Sequence, residues 1–267
     1  MASRKDQKEA ARQRRLAEER ERAERARRDR RLRMLGGVVV GAVAIVAVLI
    51  AISAGSGSSG SAPKATSATA KAAANTVNAL LSGIPQSGNR IGSPTAKVTV
   101  TEYGDLECPI CKDFALGAAG QLIANDVRSG KVQLVYRSLE TASGGSPIAN
   151  VFPTQQAAAL AAGKQSKGWN YIELFYHEQG PESTGYVTTS YLQGLAQQIP
   201  GLNMSQWSSD RQSPALTAQV TSDEQAAASA GFNSTPTIVV KGPKSQAQPI
   251  IGNPDYASLE SAIKSVS

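Results

Sequence analysis

The feature that most constrains this chain is a short run in which a strand pattern leads directly into two cysteines and then into a helix pattern. Residues 98–114 read V-T-V-T-E-Y-G-D-L-E-C-P-I-C-K-D-F and contain both cysteines of the chain, Cys108 and Cys111. Two valines alternate with threonines, which is the period of a strand with one buried face. The following run, to about residue 124, predicts a helix with Pro109 at its first position, where a missing N–H costs nothing.

This placement predicts a reactive thiol. Free backbone N–H groups and the positive end of the helix dipole favour an anion at a helix N-terminus, so the pKa of Cys108 should be lowered. Cys111 lies one helical turn further on and can close a disulfide with Cys108. We therefore interpret the pair as a reversible dithiol/disulfide, with Cys108 as the attacking thiolate and Cys111 as the resolving thiol.

Two other uses of the cysteine pair stay open at this point. The pair can be half of a zinc site, but zinc takes about four ligands, and the chain has no further cysteine and a single histidine, His177. It can also be an inert structural disulfide, although so small a ring removes little chain entropy. Both uses are disfavoured on these grounds, and no metal or organic cofactor is expected.

The net charge of +7 does not indicate nucleic-acid binding. Residues 1–33 hold 14 Lys and Arg against 7 Asp and Glu, whereas the rest of the chain holds 14 of each. The part that folds is therefore neutral overall, so a basic nucleic-acid-binding face is not indicated. We expect residues 1–33 to be a basic, solvated, partly disordered cytoplasmic tail, with binding to anionic lipid or a partner as the alternative.

Residues 34–54 predict a transmembrane anchor. The run carries no charge, and a helix of this length, at about 1.5 Å per residue, spans a bilayer core of roughly 30 Å. Basic charge lies only before it, which predicts a single-pass protein of the cell membrane with everything after the anchor outside the cytoplasm. A cleaved signal peptide is the rival, because small residues follow the apolar run. Residues 55–75, rich in Gly, Ser and Ala, are predicted to be a flexible linker.

The remaining residues, 76–267, predict one α/β domain. A strand, a helix and a second strand at 131–137 are followed by a helical block over about 140–231. Two short strands, at 237–240 and 249–252, then precede a closing helix. This order fits a parallel unit with a crossover helix, followed by an antiparallel pair that a helix closes.

Two motifs in this domain resemble a known family. A strand that runs into C-P-I-C at 108–111, with T-P at 235–236 before a strand pair and a terminal helix, resembles the thioredoxin fold. The long helical insertion resembles the DsbA-like branch of that fold, and the predicted anchor and linker resemble membrane-tethered bacterial members, especially actinobacterial ones.

The resemblance implies roles for both motifs. Cys108 would be the solvent-facing nucleophile and Cys111 its buried partner. The loop at 235–236 would be a cis-proline loop that binds the substrate chain, with a trans proline that starts a strand as the alternative. The implied substrate-binding residues are Thr235, Pro236, Pro109 and Ile110.

Glu102 is a further candidate catalytic residue. It lies six residues before Cys108, where DsbA-like proteins carry a buried glutamate that helps to move protons at the resolving thiol. Glu102 shares the parity of Val98 and Val100, so its carboxyl should point inward and have a raised pKa. The alternative is a solvated carboxylate, because the residue lies near the end of the strand.

The chain differs from well-known oxidants of this family between the cysteines. Many carry a histidine there, which favours the thiolate, whereas this chain carries Pro109 and Ile110. Nearby, Asp105 and Glu107 should oppose the thiolate while Lys112 favours it. We therefore predict a pKa for Cys108 below the usual value of about 8.5, but above the extreme of about 3.5.

Taken with the predicted anchor, the resemblance implies a membrane-anchored, extracytoplasmic thiol-disulfide oxidoreductase that introduces disulfides into exported proteins with free thiols. By analogy, a quinone-linked membrane protein of the DsbB or vitamin-K-epoxide-reductase type would reoxidise it. The alternatives are a disulfide reductase or isomerase of the same fold, and a non-catalytic tethered binding module.

Overall fold

The computed structural model describes residues 68–267. The predicted tail at 1–33, the predicted anchor at 34–54 and most of the predicted linker lie outside the described residues. Within residues 68–267, no helix is both long enough and apolar enough to cross a membrane.

The folded domain begins before the predicted boundary at residue 76. Helix α1 (Ala68–Leu81) occupies the end of the predicted linker and buries Ala70, Ala74, Val77 and Leu81 at helical spacing. Alanine is the strongest helix former, and its small side chain lets α1 pack closely on a neighbouring helix of the insertion. The Ala-rich end of the linker therefore continues the buried face of the helix.

A six-stranded mixed sheet forms the centre of the described domain, in the order β1-β2-β4-β3-β5-β6. β3 runs parallel to β4 and antiparallel to β5, which pairs antiparallel with β6, so the predicted order of elements is confirmed. The strands are β1 (Gln86–Ser87), β2 (Arg90–Ile91), β3 (Val98–Gly104), β4 (Val132–Ser138), β5 (Thr237–Lys241) and β6 (Ile250–Ile251).

The β1–β2 hairpin lies in a region that the sequence predicts only as turns. Strands of two residues are too short to give a period-two pattern. The hairpin joins the sheet because β2 pairs antiparallel with β4, with Arg90 opposite Val135.

The crossover helix connects β3 to β4 and runs from residue 109 to residue 127. It is not uniformly α-helical: α2 (Pro109–Phe114) and α3 (Gly120–Leu122) alternate with π-helical turns at Ala115–Ala119 and Ile123–Val127. It faces the insertion on one side and helix α9 (Tyr256–Val266) on another. The side chain of Asp255 caps α9 by accepting a hydrogen bond from the backbone N–H of Ser258.

The predicted helical insertion lies between β4 and β5 and contains five helices. They are α4 (Val151–Gly163), α5 (Gly168–His177), α6 (Thr189–Gln197), α7 (Met204–Asp210) and α8 (Pro214–Ser229). A 3-10 turn, Ala142–Gly145, precedes them. The sequence does not predict α7, because Trp207 is the only large apolar residue that it buries.

Three glycines bring the insertion against the β1–β2 hairpin. A Cβ atom on Gly163 would lie 2.6 Å from the carbonyl oxygen of Gly88, and one on Gly168 would lie 2.5 Å from the same oxygen. Any larger residue at either position would overlap the hairpin backbone. The start of α5 is therefore held at a fixed distance from the sheet.

Candidate active site

Cys108 lies where β3 has ended and α2 begins. It is the N-cap residue of α2, in an extended conformation, and Pro109 follows as the first helical residue. Both cysteines are free thiols. Cys111 is fully buried, as predicted, whereas Cys108 keeps only 6 % of its surface exposed and is less open to solvent than the sequence predicts.

The two thiols have opposite electrostatic environments. A hydrogen bond with the Cys111 side chain is the main cause that lowers the pKa of Cys108, to about 6, against the effect of burial. Hydrogen bonds from the Thr235 side chain and from the backbone N–H groups of Cys111 and Ile110 lower it further. Burial raises the pKa of Cys111 well above its ordinary value. Cys108 is therefore the better nucleophile and leaving group, and its pKa lies in the predicted interval.

Hydrogen bonds, rather than the neighbouring charges named above, cause the lowered pKa of Cys108. The Lys112 ammonium donates a hydrogen bond to the backbone carbonyl of Gln179 at 3.4 Å. Glu107 is fully buried, and burial raises its pKa to about 7. The carboxylate of Asp105 is bound within the protein by several donors.

Asp105 fixes the loop that leads to Cys108. Its carboxylate accepts hydrogen bonds from the backbone N–H groups of Glu107 at 3.0 Å, Thr141 at 2.9 Å and Ser143 at 2.9 Å. The Ser143 hydroxyl and the side-chain amide of Gln155 also donate to it. One carboxylate therefore joins the active-site loop to the 3-10 turn and to α4.

The peptide bond between Thr235 and Pro236 is cis, which confirms the predicted cis-proline and excludes the trans alternative. The Cys108 thiol donates to the backbone carbonyl of Thr235 at 3.5 Å, so this loop lies against the nucleophile. The hydroxyls of Thr235 and Thr141 share a hydrogen bond. The carbonyl of Pro236 accepts a hydrogen bond from the backbone N–H of Gly252 at 2.8 Å, which ties the loop to the end of β6.

Two large apolar side chains near these motifs are exposed. Ile110, between the cysteines, is 44 % exposed, and Ile251, opposite Thr237 in the β5–β6 pair, is 67 % exposed. Pro109 is also exposed. Exposed apolar surface therefore lies next to Cys108 in the chain, at Pro109 and Ile110, and on β6 opposite Thr237, where an apolar peptide can be contacted.

Glu102 points into the protein, as the alternation along β3 predicts. It is 1 % exposed, and neither carboxylate oxygen has a hydrogen-bond partner among the described residues. Burial raises the pKa of Glu102 well above its ordinary value, with further contributions from Glu173 and Cys108. The alternative of a solvated carboxylate is wrong. Because the charge of Glu102 also raises the pKa of Cys111, the two groups share one electrostatic environment.

Sequence reasoning missed one buried acid close to this site, Glu173 on α5. It is 1 % exposed, its Oε1 atom has no hydrogen-bond partner in the part of the chain that the structure describes, and burial raises its pKa to about 8. The signal was present in W-N-Y-I-E-L-F-Y at 169–176, where a single acid interrupts a dense apolar run. His177, one turn further on, is half-buried, and burial lowers its pKa.

Comparisons with known proteins agree with this geometry. The profile of the thioredoxin family matches residues 86–265. A probable disulfide bond formation protein D of Bacillus cereus is 25% identical over 176 residues, which cover 65% of this chain and 76% of that protein.

Solved structures show the same fold. The oxidised form of BdbD from Bacillus subtilis aligns with a TM-score of 0.57 and 21% identity, over 69% of this chain and 96% of that chain. DsbA2 from Pseudomonas aeruginosa aligns with a TM-score of 0.53 and 24% identity, over 69% of this chain and 97% of that chain.

Proposed function

The chain belongs to the thioredoxin family as a DsbA-like thiol-disulfide oxidoreductase, and we propose that its Cys108–Cys111 pair donates disulfides to exported proteins. The observation that carries this proposal is the position of Cys108 at the start of α2, with its thiol 3.5 Å from the backbone carbonyl of Thr235. The lowered pKa of Cys108, about 6, supports the direction of transfer, because a stabilised thiolate favours the reduced pair and so makes the disulfide a better oxidant of other thiols.

The proposed reaction moves two electrons from a substrate dithiol to the protein disulfide. A substrate thiolate attacks the sulfur of Cys108, the bond between the two enzyme sulfurs breaks, and Cys111 leaves and takes up a proton. A second substrate thiolate then attacks the substrate sulfur of the mixed disulfide. This attack releases Cys108 as a thiolate and leaves a disulfide in the substrate.

Glu102 supplies the proton to Cys111 in this proposal. A thiolate at the fully buried Cys111 is strongly disfavoured, since its pKa is raised well above 9.0. A protonated Glu102 beside it can act as a general acid, and its carboxylate can act as a general base in the reverse direction. Burial raises the pKa of Glu102 well above its ordinary value, which favours the acid form that this step needs.

The cis-proline loop is the proposed binding site for the substrate chain. Thr235 and Pro236 lie against Cys108, and the exposed Ile110 beside the nucleophile, with Pro109, offers an apolar contact. An extended peptide bound along this loop places its thiol at Cys108. Exposed apolar surface suits unfolded substrates, whose cysteines lie among apolar residues.

The proposed cycle needs a partner that reoxidises the pair. We place the domain outside the cytoplasm, tethered by residues 34–54, where a quinone-linked membrane protein of the DsbB or vitamin-K-epoxide-reductase type accepts the two electrons. The uncharged run of residues 34–54 and the basic residues before it support this location.

The reduction potential of the Cys108–Cys111 pair, measured on the full-length chain in glutathione buffers, tests this function. A value near about −120 mV, where strong oxidants lie, supports a disulfide donor. A value near about −270 mV, where thioredoxin lies, overturns it in favour of a reductase. Cys108→Ser separates both from a binding module, because exchange activity should vanish while a binding module would keep its partner.

A further inference from the structure

In the proposed cycle, Glu102 must exchange protons although its carboxyl is buried. When Cys111 leaves, Glu102 gives up a proton and becomes a buried carboxylate without a hydrogen-bond donor among residues 68–267. When the pair is reoxidised, Cys111 must lose its proton again. Glu102 could take that proton back only if it stayed a carboxylate in the reduced chain, and a buried carboxylate without a donor is strongly disfavoured. We therefore expect Glu102 to be reprotonated between the two half-reactions. Because Glu102 is only 1 % exposed, this exchange needs a route between its carboxyl and the solvent.

A surface cleft of about 570 Å³ reaches from solvent towards this region. It lies between α1, the crossover helix and α5. Among the residues that the structure describes, Glu173 and His177 are the only ionisable ones that line it. The other lining residues are Thr76, Leu80, Ala115, Leu116, Gly117, Gly120, Gln121, Ala124 and Asn125.

Glu173 is the group that joins this cleft to the interior. Its side chain contributes to the cleft wall although the residue is almost completely buried, and its Oε1 atom is unpartnered within the described domain. The α5 helix that carries it packs against α1 and against the π-helical turn at Ala115–Ala119. An acid in such an apolar position costs stability, so its presence calls for a role.

Glu173 and Glu102 are close enough for their charges to interact. A charge on Glu173 raises the pKa of Glu102, and a charge on Glu102 raises the pKa of Cys111. The hydroxyls of Tyr136 and Tyr176 also lie in this environment, and burial raises both of their pKa values well above 10.0. On the cleft side of Glu173, the charged or ionisable groups are His177 and Lys112. The charge of Lys112 contributes to lowering the pKa of His177.

We propose that Glu173 is a relay residue that carries protons between Glu102 and water in the cleft, an inference that rests on the proposed chemistry at Cys111. In substrate oxidation, a proton passes from cleft water to Glu173, then to Glu102, and finally to the sulfur of Cys111. In reoxidation, the proton leaves along the same groups in reverse. No electrons move in these steps, because the electron pair passes between sulfurs only.

The relay is tested by following the step in which Cys111 loses its proton. Oxidised glutathione first exchanges with Cys108 of the reduced full-length chain, which gives the mixed disulfide and releases one reduced glutathione. Ring closure, in which Cys111 expels the second glutathione, is then timed between pH 6 and 10. Cys111 can attack only after Glu102 has passed its own proton to Glu173. In the wild type, the rate should therefore rise with an apparent pKa near 8, the value to which burial raises Glu173.

Glu173→Gln keeps the side-chain volume and removes the relay. We expect this variant to lose the rise near pH 8 and to close its ring about tenfold more slowly at pH 9. Direct general acid–base catalysis contributes roughly a hundredfold or more, so Glu102→Gln should be slower still. The double variant should be no slower than Glu102→Gln alone, because Glu173 acts only through Glu102.

Glu178→Gln is the matched control, since it removes the same charge one residue beyond α5, outside the cleft lining. Its pH profile should overlay that of the wild type. Gly117→Leu is a second variant, for the case in which Glu173→Gln lowers the melting temperature. A Cβ at Gly117 meets nothing within 4 Å, so the larger side chain can fill the cleft and should slow ring closure above pH 8.

The outcomes separate the relay from the proposed function. A Glu173→Gln variant with the wild-type pH profile overturns the relay, and so does a double variant in which the two losses multiply. If Glu173→Gln is unstable, an unchanged rate in Gly117→Leu overturns the relay instead. A wild-type chain that never expels the glutathione contradicts the proposed function itself. Ring closure takes place in an oxidase and in a reductase alike, so the test of the relay does not depend on the direction of the reaction.

Discussion

The thiol of Cys108 lies 3.5 Å from the backbone carbonyl oxygen of Thr235, although 127 positions separate the two residues in the chain. The same residue also provides a side-chain hydrogen bond that lowers the pKa of Cys108. Thr235 therefore acts on the nucleophile through both its backbone and its side chain. In the proposed reaction, a substrate that binds along this loop displaces or shares these contacts as it approaches the sulfur.

Thr235→Val should raise the pKa of Cys108 above its value of about 6, because valine keeps the shape of threonine without the hydroxyl. The rise should be roughly one pH unit, since a hydrogen bond to a charged group contributes about 1.5–3 kcal/mol and this sulfur keeps some contact with solvent. Titration of the thiolate by its ultraviolet absorbance measures the shift. Thr141→Val is the control, since the Thr141 hydroxyl bonds Thr235 rather than the sulfur and its loss should move the midpoint less. An unchanged midpoint in Thr235→Val would show that the hydroxyl plays no part.

The potential of the Cys108–Cys111 pair should change its pH dependence near pH 6. Below that pH, two electrons are taken up with two protons, which gives about −59 mV per pH unit. Above it, Cys108 stays a thiolate while Cys111, with a raised pKa, takes one proton, so the slope should fall to about −30 mV per unit. Equilibration with glutathione or dithiothreitol at each pH measures this. A single steep slope up to pH 8 would contradict the lowered pKa of Cys108.

Glu173 should make the folded chain less stable as pH rises. Its folded pKa is raised from 4.5 to about 8, so its favourable contribution is complete below pH 4.5 and is lost as pH rises through 8. Glu173→Gln removes this titration and should gain stability over the wild type by roughly 3–5 kcal/mol at pH 9, with little gain at pH 4.5. Urea unfolding at several pH values measures the difference. A pH-independent difference for Glu173→Gln would refute the burial argument.

Gly168→Ala should destabilise the domain by about 1–3 kcal/mol, the usual cost of overpacking. The added Cβ would lie 2.5 Å from the carbonyl oxygen of Gly88, and backbone cannot move aside as a flexible side chain can. Gly117→Ala is the matched control, since its Cβ meets nothing within 4 Å and a helical alanine is favoured over glycine. The melting temperatures of both variants are measured by thermal unfolding. Equal melting temperatures would mean that the β1–β2 hairpin moves to accommodate the added Cβ.

The parts of the site that a local pattern encodes could be predicted from sequence. The strand at 98–104, the cysteines and the helix after them are contiguous, so alternation and Pro109 specify their arrangement. The inward direction of Glu102 follows from the same alternation. Glu173 could not be placed, because its burial depends on α1 and the crossover helix, which lie more than forty residues away in the chain. The β1–β2 hairpin and α7 were missed because neither is long enough to carry a periodic pattern.

The hydrogen bonds of Asp105 bear on how freely members of this family can exchange parts. The carboxylate binds backbone N–H groups of its own loop and of the 3-10 turn, and its contact with Gln155 extends to the first helix of the insertion. A transplanted insertion that lacks these donors would therefore leave the carboxylate of Asp105 with fewer hydrogen bonds. Recombination between such proteins should succeed only when the residues around Thr141, Ser143 and Gln155 are inherited together with Asp105. We therefore expect the insertion and the redox loop to be inherited together, although the crossover helix and β4 separate them in the chain.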